Sequence, residues 1–135
     1  MNQDLYKFYQ TKFRDIDLDL ELNPLTSDFV KLSHIESVKR RVKTLVLTNL
    51  YDRPYQPALG TQVSGLLFEN IGTEELSMME QMIIDLIRAF EPFVDVLRVG
   101  VSDFDNGLGV QIQISFSVID SPEFAQLTII LDRVR

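Results

Sequence analysis

Few side chains in this sequence could do covalent chemistry. His34 is the only histidine and there is no cysteine, so disulfides and thiolate catalysis are excluded. A hydrolytic triad on His34 would need a hydroxyl and an orienting carboxylate from elsewhere in the chain. His34 stands within Ser33-His34-Ile35-Glu36, a capping-box pattern, which predicts a surface residue at a helix start rather than a catalytic base. No phosphate-cradling glycine motif is present, and we expect neither a metal nor a cofactor.

Carboxylates are more plentiful, since 20 acidic residues stand against 13 basic ones. Asp15-x-Asp17-x-Asp19 matches the opening of an EF-hand loop, which also requires glycine at position six and glutamate at position twelve. Those positions hold Leu20 and Thr26, so we expect no calcium site.

Residues Asp15 to Leu22 alternate strictly between acidic and apolar side chains. A period of two predicts a half-buried strand, and four like charges on one face are typical of a solvated or protected edge. The alternative interpretation is a docking face for a basic partner.

A basic segment interrupts the acidic chain. The net charge of −7 argues against general nucleic-acid binding. A helix predicted from Ser33 to Leu47 places its basic residues opposite an apolar stripe of Ile35, Val38, Val42 and Leu45. A solvated helix face explains Lys39, Arg40 and Lys43 most simply, and a contact with an acidic partner is the second interpretation.

Size and composition favour one ordinary domain. The chain has 135 residues, of which 45% are hydrophobic and 24% charged, a profile typical of a globular fold. We expect an N-terminal segment, residues 1–14, followed by a single domain over 15–135. The first residues do not form a signal peptide, and no apolar run is long enough to span a membrane.

Two more helices are predicted after the first. Val63 to Phe68 should form a short one, and Thr73 to Phe90 a long one that starts with carboxylates and ends before Pro92. We expect its buried stripe to contain Leu76, Met79, Ile83, Leu86 or Ile87, and Phe90. We interpret Met78, Met79 and Met82 as packing residues.

The last third of the chain has β patterning. Val94 to Val101, Val110 to Val118 and Phe124 to Leu131 are predicted strands, with a turn at Asp105-Asn106-Gly107. The fold class is therefore α+β, a two-layer domain with two to three helices packed on an antiparallel β-meander. The uncharged polar residues of the middle strand would permit close approach of another strand; they are Gln111, Gln113, Ser115 and Ser117.

Between the helices runs a stiff stretch, Arg53-Pro54-Tyr55-Gln56-Pro57-Ala58-Leu59-Gly60, followed by Leu67-Phe68-Glu69-Asn70. Its two prolines each fix one φ angle, and Gly60 permits a turn conformation that residues with a Cβ rarely adopt. Together with Asn23-Pro24-Leu25, Glu91-Pro92 and Phe116-Ser117-Val118-Ile119-Asp120, this stretch resembles the baseplate wedge family of contractile phage tails. That family has kin in type VI secretion and contractile bacteriocins.

The resemblance implies a structural, non-enzymatic virion component. Such a protein joins the baseplate wedge to the first sheath ring and initiates sheath assembly, often by strand exchange with sheath arms. It would sit in the tail baseplate, assembled in the host cytoplasm, with other wedge proteins and the sheath protein as partners. Nucleic acid, membranes and small-molecule substrates are not expected. We predict that Val110–Val118 and Phe124–Leu131 are the segments suited to strand addition.

A Glu-Pro-Arg loop after the long helix is associated with assembly in the family. This sequence has Glu91, Pro92 and Phe93, and a phenyl ring lacks the bidentate hydrogen bonds of guanidinium. We therefore do not transfer the arginine's role. Glu91, Pro92 and Phe93 stay candidates for partner contact. The other candidates are Arg53 and Glu69, taken as polar anchors of the stiff stretch, with the polar residues of the first helix and the middle strand.

Two other functions compete with this one. The family has carried a lysozyme-like label, which makes Glu69 and Glu91 candidate carboxylates of a peptidoglycan glycosidase. A chain this short leaves little material for a sugar cleft, so we expect no enzyme. The third possibility is a regulatory binding module, because a bacterial stress-response anti-adaptor resembles this domain.

Overall fold

Part of the chain is described by the computed structural model: residues 24–25, 34–67, 72–104, 107–119 and 124–132. The predicted strand Asp15–Leu22, the cap residue Ser33 and the candidate Glu69 lie outside these ranges. Contacts divide the chain into two compact units, Met1–Arg41 and Val42–Arg135. The expectation of one domain over 15–135 stays a prediction.

Helix α1 spans His34–Leu47, one residue from its predicted start. The predicted apolar stripe is confirmed at Val38, Val42 and Leu45, all buried, whereas Ile35 is half-buried. Val46 is also buried, so the apolar face is wider than the pattern indicated.

Helix α2 is a single turn, Val63–Leu66, and α3 spans Thr73–Phe90 as predicted. The Gly72 N–H donates to the Glu75 carboxylate at 2.9 Å, which satisfies one of the open amides at the start of α3. The buried stripe of α3 consists of Met79, Ile83, Leu86 and Ile87.

Three apolar residues of α3 depart from the prediction, and the first of them, Leu76, is half-buried. Phe90, the last residue of the helix, is 36% exposed. Met78 is 60% exposed, so its assignment to packing was wrong, although Met79 is fully buried. Periodicity located the helix but not the limits of its covered surface.

Three antiparallel strands form a sheet in the order β1-β2-β3: β1 is Val94–Phe104, β2 is Gly109–Val118 and β3 is Phe124–Asp132. Val101 of β1 lies opposite Ile112 of β2, which in turn lies opposite Ile129 of β3. Alternate β2 residues are buried, namely Val110, Ile112, Ile114, Phe116 and Val118. With α3 packed against β1, the predicted α+β class and the antiparallel meander are confirmed.

Candidate functional site

The loop between α1 and α2 is closed at its base by main-chain hydrogen bonds. Thr61 donates its N–H to the Thr48 oxygen at 2.8 Å, and Leu50 donates to the Thr61 oxygen at 3.2 Å. The buried Thr61 hydroxyl also donates to the Val46 oxygen at 2.8 Å. Leu59 packs with Leu45 of α1 in the core. The loop ends are therefore held together as in a compact Ω-loop.

Glycine is required where the two sides of this loop meet. Gly60 has a φ of 138°, and a Cβ built there would lie 2.6 Å from the Thr48 oxygen and 2.7 Å from the Asn49 carbonyl. Gly60 was predicted to allow a turn that residues with a Cβ rarely adopt. Its positive φ angle and the close approach of the Thr48 and Asn49 backbone explain why glycine is needed there.

Every residue at the tip of the loop is exposed, from Tyr51 to Ala58. Tyr55 is 98% exposed and Tyr51 is 79% exposed, and Arg53 lies between them. Internal hydrogen bonds hold this tip, from the Tyr51 N–H to the Pro57 oxygen and from the Gln56 N–H to the Arg53 oxygen, each 3.1 Å. Tyrosine and arginine on stiff backbone are the residue types that dominate protein interfaces.

Beside the loop lies an open cleft of about 550 Å³. It is lined by Asn49, Leu50, Tyr51, Thr61, Gln62, Ser64, Gly65 and Leu66. These side chains offer amides, hydroxyls and apolar surface but no carboxylate. Among the residues that the structure describes, no group of His, Cys, Asp or Glu is placed to hold a metal ion.

The Glu91-Pro92-Phe93 turn connects α3 to β1. Glu91 is only 8% exposed. Its main-chain N–H donates to the Ile87 main-chain oxygen at 2.8 Å, and its main-chain oxygen accepts from the Val94 N–H at 3.0 Å. The Phe93 oxygen accepts from the Ile119 N–H at 3.0 Å, which ties the turn to the end of β2. Pro92 is exposed and Phe93 half-buried. The main chain of this turn is thus fixed from both sides.

The outer face of the sheet carries the four predicted polar candidates of β2. Gln113 is exposed, and Gln111, Ser115 and Ser117 are half-buried. Their β3 neighbours on this face include exposed Phe124 and Ile130. The face therefore combines amides and hydroxyls with two large apolar side chains.

The structure corrects one expectation about strand addition. β2 is the central strand, paired with β1 on one side and β3 on the other, so Val110–Val118 has no free edge. The four β2 side chains are available only through the outer face. Among the described residues, β1 and β3 are both edge strands, each paired only with β2. Of the two predicted segments, only Phe124–Leu131 therefore has an outer edge for an added strand.

The opposite edge of the sheet is contacted by α3. Glu80 Oε1 accepts a hydrogen bond from the Val101 N–H of β1 at 2.9 Å. The sequence analysis did not predict this contact, because Glu80 is one of four acidic residues on the helix and nothing in the pattern distinguishes it. Only the tertiary placement of α3 against β1 reveals it.

The basic candidates lie on α1, where Lys43 is exposed and Lys39 and Arg40 are half-buried. Arg53 lies on the loop, the four polar candidates on the outer face of β2, and Glu91 at the end of α3 in the turn tied to the end of β2. Tyr51 and Tyr55 were also missed as candidates, although aromatic residues beside prolines in a stiff segment could have indicated them. Among the described helices, none is long and apolar enough to cross a membrane.

Two solved structures share this fold. A crystal structure described as a tail lysozyme from Geobacter sulfurreducens superposes with a TM-score of 0.70 at 20% identity, covering 78% of this chain and 96% of that one. A chain of the anti-feeding prophage baseplate gives a TM-score of 0.66 at 20% identity, covering 82% of this chain and 88% of that one. The architecture is therefore one that small tail and baseplate proteins adopt.

The sequence comparisons make the assignment specific. The family model described as baseplate wedge protein gp25 matches residues 32–123. Baseplate wedge protein gp25 of Enterobacteria phage T4 is 29% identical over 111 residues, covering 82% of this chain and 83% of the relative. The chain belongs to the gp25 baseplate wedge family of contractile tail and injection machinery, which confirms the resemblance seen in the sequence.

Proposed function

We propose that this protein is a non-enzymatic adaptor that joins the baseplate wedge to the first ring of the tail sheath and initiates sheath assembly. Its place would be the tail baseplate of the virion, assembled in the host cytoplasm. The observation that carries the proposal is the outer edge of β3, which pairs with no other described strand.

An added strand needs main-chain donors and acceptors along an edge. Because the Val101 N–H points away from β2, Val101 and Ile112 form a non-hydrogen-bonded pair. Ile112 therefore directs its main-chain groups toward Ile129 of β3, and the alternate β3 residues Thr128 and Ile130 direct theirs outward. Both have exposed side chains. An incoming sheath arm would find free donors and acceptors there.

The loop tip is the surface we assign to other wedge proteins. Tyr51, Arg53 and Tyr55 protrude on a loop whose conformation is fixed by its own hydrogen bonds. A stiff loop loses little conformational entropy on binding, which favours affinity. Lys39, Arg40 and Lys43 on α1 would be a second contact for an acidic partner surface.

The arrangement of carboxylates gives no support to a glycosidase. Glu91 is buried, and the residues that line the 550 Å³ cleft include no acid. A retaining or inverting mechanism needs two carboxyl groups flanking one sugar bond. The lysozyme wording of a structural relative at 20% identity concerns that relative, and the likeness extends to the fold.

The decisive experiment replaces one outward amide of β3. Thr128→Pro removes an N–H that faces away from β2 and adds ring bulk at the edge, while Thr128→Val keeps the amide. With purified wedge and sheath proteins of the same machine, we expect Thr128→Pro to abolish sheath binding and retain wedge binding. Thr128→Val should retain both. Failure of the wild-type protein to bind sheath protein would reject the adaptor role, and wild-type sheath binding by a folded Thr128→Pro protein would reject the β3 edge as the sheath contact.

A further inference from the structure

The two edges of the sheet are treated differently by the rest of the fold. β1 is the edge strand on one side, and strands at an edge present alternate N–H groups outward. The Val101 N–H is one of these, and the Glu80 carboxylate of α3 occupies it at 2.9 Å. For β3, no side-chain hydrogen bond from another described element reaches an outward amide in this way.

A carboxylate is an effective block at such a position. It accepts hydrogen bonds more strongly than a neutral oxygen, so it competes well with the carbonyl of an incoming strand. It also carries negative charge toward the line on which that strand's carbonyl oxygens would lie. Glu80 is half-buried and follows fully buried Met79, so its backbone is anchored in the core.

We propose that Glu80 is a gatekeeper of the β1 edge, which limits strand addition by a partner polypeptide to the β3 edge. This inference rests on the proposed function, because it assigns the side on which an extended partner arm is accepted. A sheet with two open edges can add copies of itself without end, whereas a sheet with one open edge closes after a single addition. Glu80 thereby restricts the added strand to one side of the sheet, the β3 edge.

The test uses the isolated full-length chain, without sheath or wedge proteins. Glu80→Met keeps side-chain length and helix propensity but removes the oxygen acceptor, and Glu80→Gln keeps an acceptor. Asp85→Ala is the charge-matched control: Asp85 is exposed on the same helix and accepts from Gln81 at 2.8 Å, away from the sheet.

Amide hydrogen exchange reports the local contact. We expect Val101 to exchange about 10-fold faster in Glu80→Met, since one hydrogen bond to a charged group is lost. Glu80→Gln keeps an acceptor without the charge and should exchange at a rate between those of wild type and Glu80→Met, whereas Asp85→Ala should show wild-type exchange at Val101. Unchanged exchange in Glu80→Met would overturn the proposal.

Sedimentation over a range of protein concentrations reports whether the β1 edge is open to self-association. Glu80→Met should form larger species than wild type as concentration rises, Glu80→Gln should associate less than Glu80→Met, and Asp85→Ala should match wild type. Adding Ser102→Lys, an exposed charge on the β1 edge strand, should reverse that growth. Faster exchange at Val101 without any added association would mean that Glu80 merely stabilises β1, and the proposal would be wrong.

These outcomes are separable from the proposed function. Loss of the gate is measured with no partner present, whereas the Thr128→Pro experiment measures sheath binding directly. If wild type binds no sheath protein but Glu80→Met associates, the adaptor role is rejected and the blocking role of Glu80 at the β1 edge is supported. If wild type binds sheath protein, Thr128→Pro does not, and Glu80→Met shows no added association, the adaptor role is supported and the blocking role of Glu80 is rejected.

Discussion

The exposed loop and the sheet hold their shapes by different means. The loop from Asn49 to Thr61 is closed by main-chain hydrogen bonds and buries little beyond Leu59, Gly60 and Thr61. The sheet buries the whole inner side of β2, including Ile112 and Phe116. Hydrogen bonds contribute modestly per bond, whereas buried apolar area dominates folding stability. The sheet thus supplies the stability that lets a largely exposed loop keep one conformation.

The strongest test of this contrast truncates the centre of the sheet. Phe116 is fully buried on β2, so Phe116→Ala should lower the free energy of unfolding by about 3–5 kcal/mol through lost burial and a cavity. Chemical denaturation measures the effect. Ser117→Ala, the adjacent residue on the outer face, serves as control and should stay within about 0.5 kcal/mol of wild type. A loss below about 1 kcal/mol for Phe116→Ala would refute this role of the sheet.

The next largest effect is expected where the loop closes on itself. Gly60→Ala introduces a Cβ into backbone at 2.6 Å and a φ of 138°, so we expect a loss of about 2–3 kcal/mol. Gly65→Ala is the matched control, because a Cβ there meets nothing within 4 Å. Equal stability of the two variants in thermal unfolding would show that the loop base can rearrange freely.

A smaller loss should follow from removing the hydroxyl at the loop base. Thr61→Val keeps the shape of the side chain but leaves the Val46 oxygen without its 2.8 Å donor. We expect about 1–2 kcal/mol of destabilisation. Thr48→Val is the comparison: its hydroxyl donates to the Thr44 oxygen in an exposed setting, so its loss should be smaller. If urea unfolding ranks the two in the opposite order, burial does not set the strength of the loop closure.

The smallest effect on stability belongs to the loop tip. Tyr55→Ala removes a ring that is 98% exposed, so the free energy of unfolding should change by less than about 0.5 kcal/mol. Binding to a wedge protein should instead weaken at least 10-fold, as for an interface hot spot. Calorimetry measures both, and Gln56→Ala at the same tip is the control for binding. Unaltered wedge affinity in Tyr55→Ala would remove the loop from the wedge interface.

Patterns with a clear period were reliable in this sequence. The bounds of Thr73–Phe90 and the alternation of Val110–Val118 follow from local rules of helix starts and strand faces. Sheet order does not follow from alternation, which identifies the face of a residue but not the edge of a strand. For that reason Val110–Val118 was assigned to strand addition and proved to be central. Glu80 escaped notice for the same cause: its partner amide is 21 residues away along the chain.

The parallel bridge between Asn49 and Thr61 holds the two ends of the loop side by side. The exposed tip between them can therefore be lengthened without separating the loop ends. Closing a longer loop costs little additional entropy, and exposed tips accept insertions readily. A short epitope or fluorophore-binding peptide placed after Gln56 would leave the neighbouring helices in register.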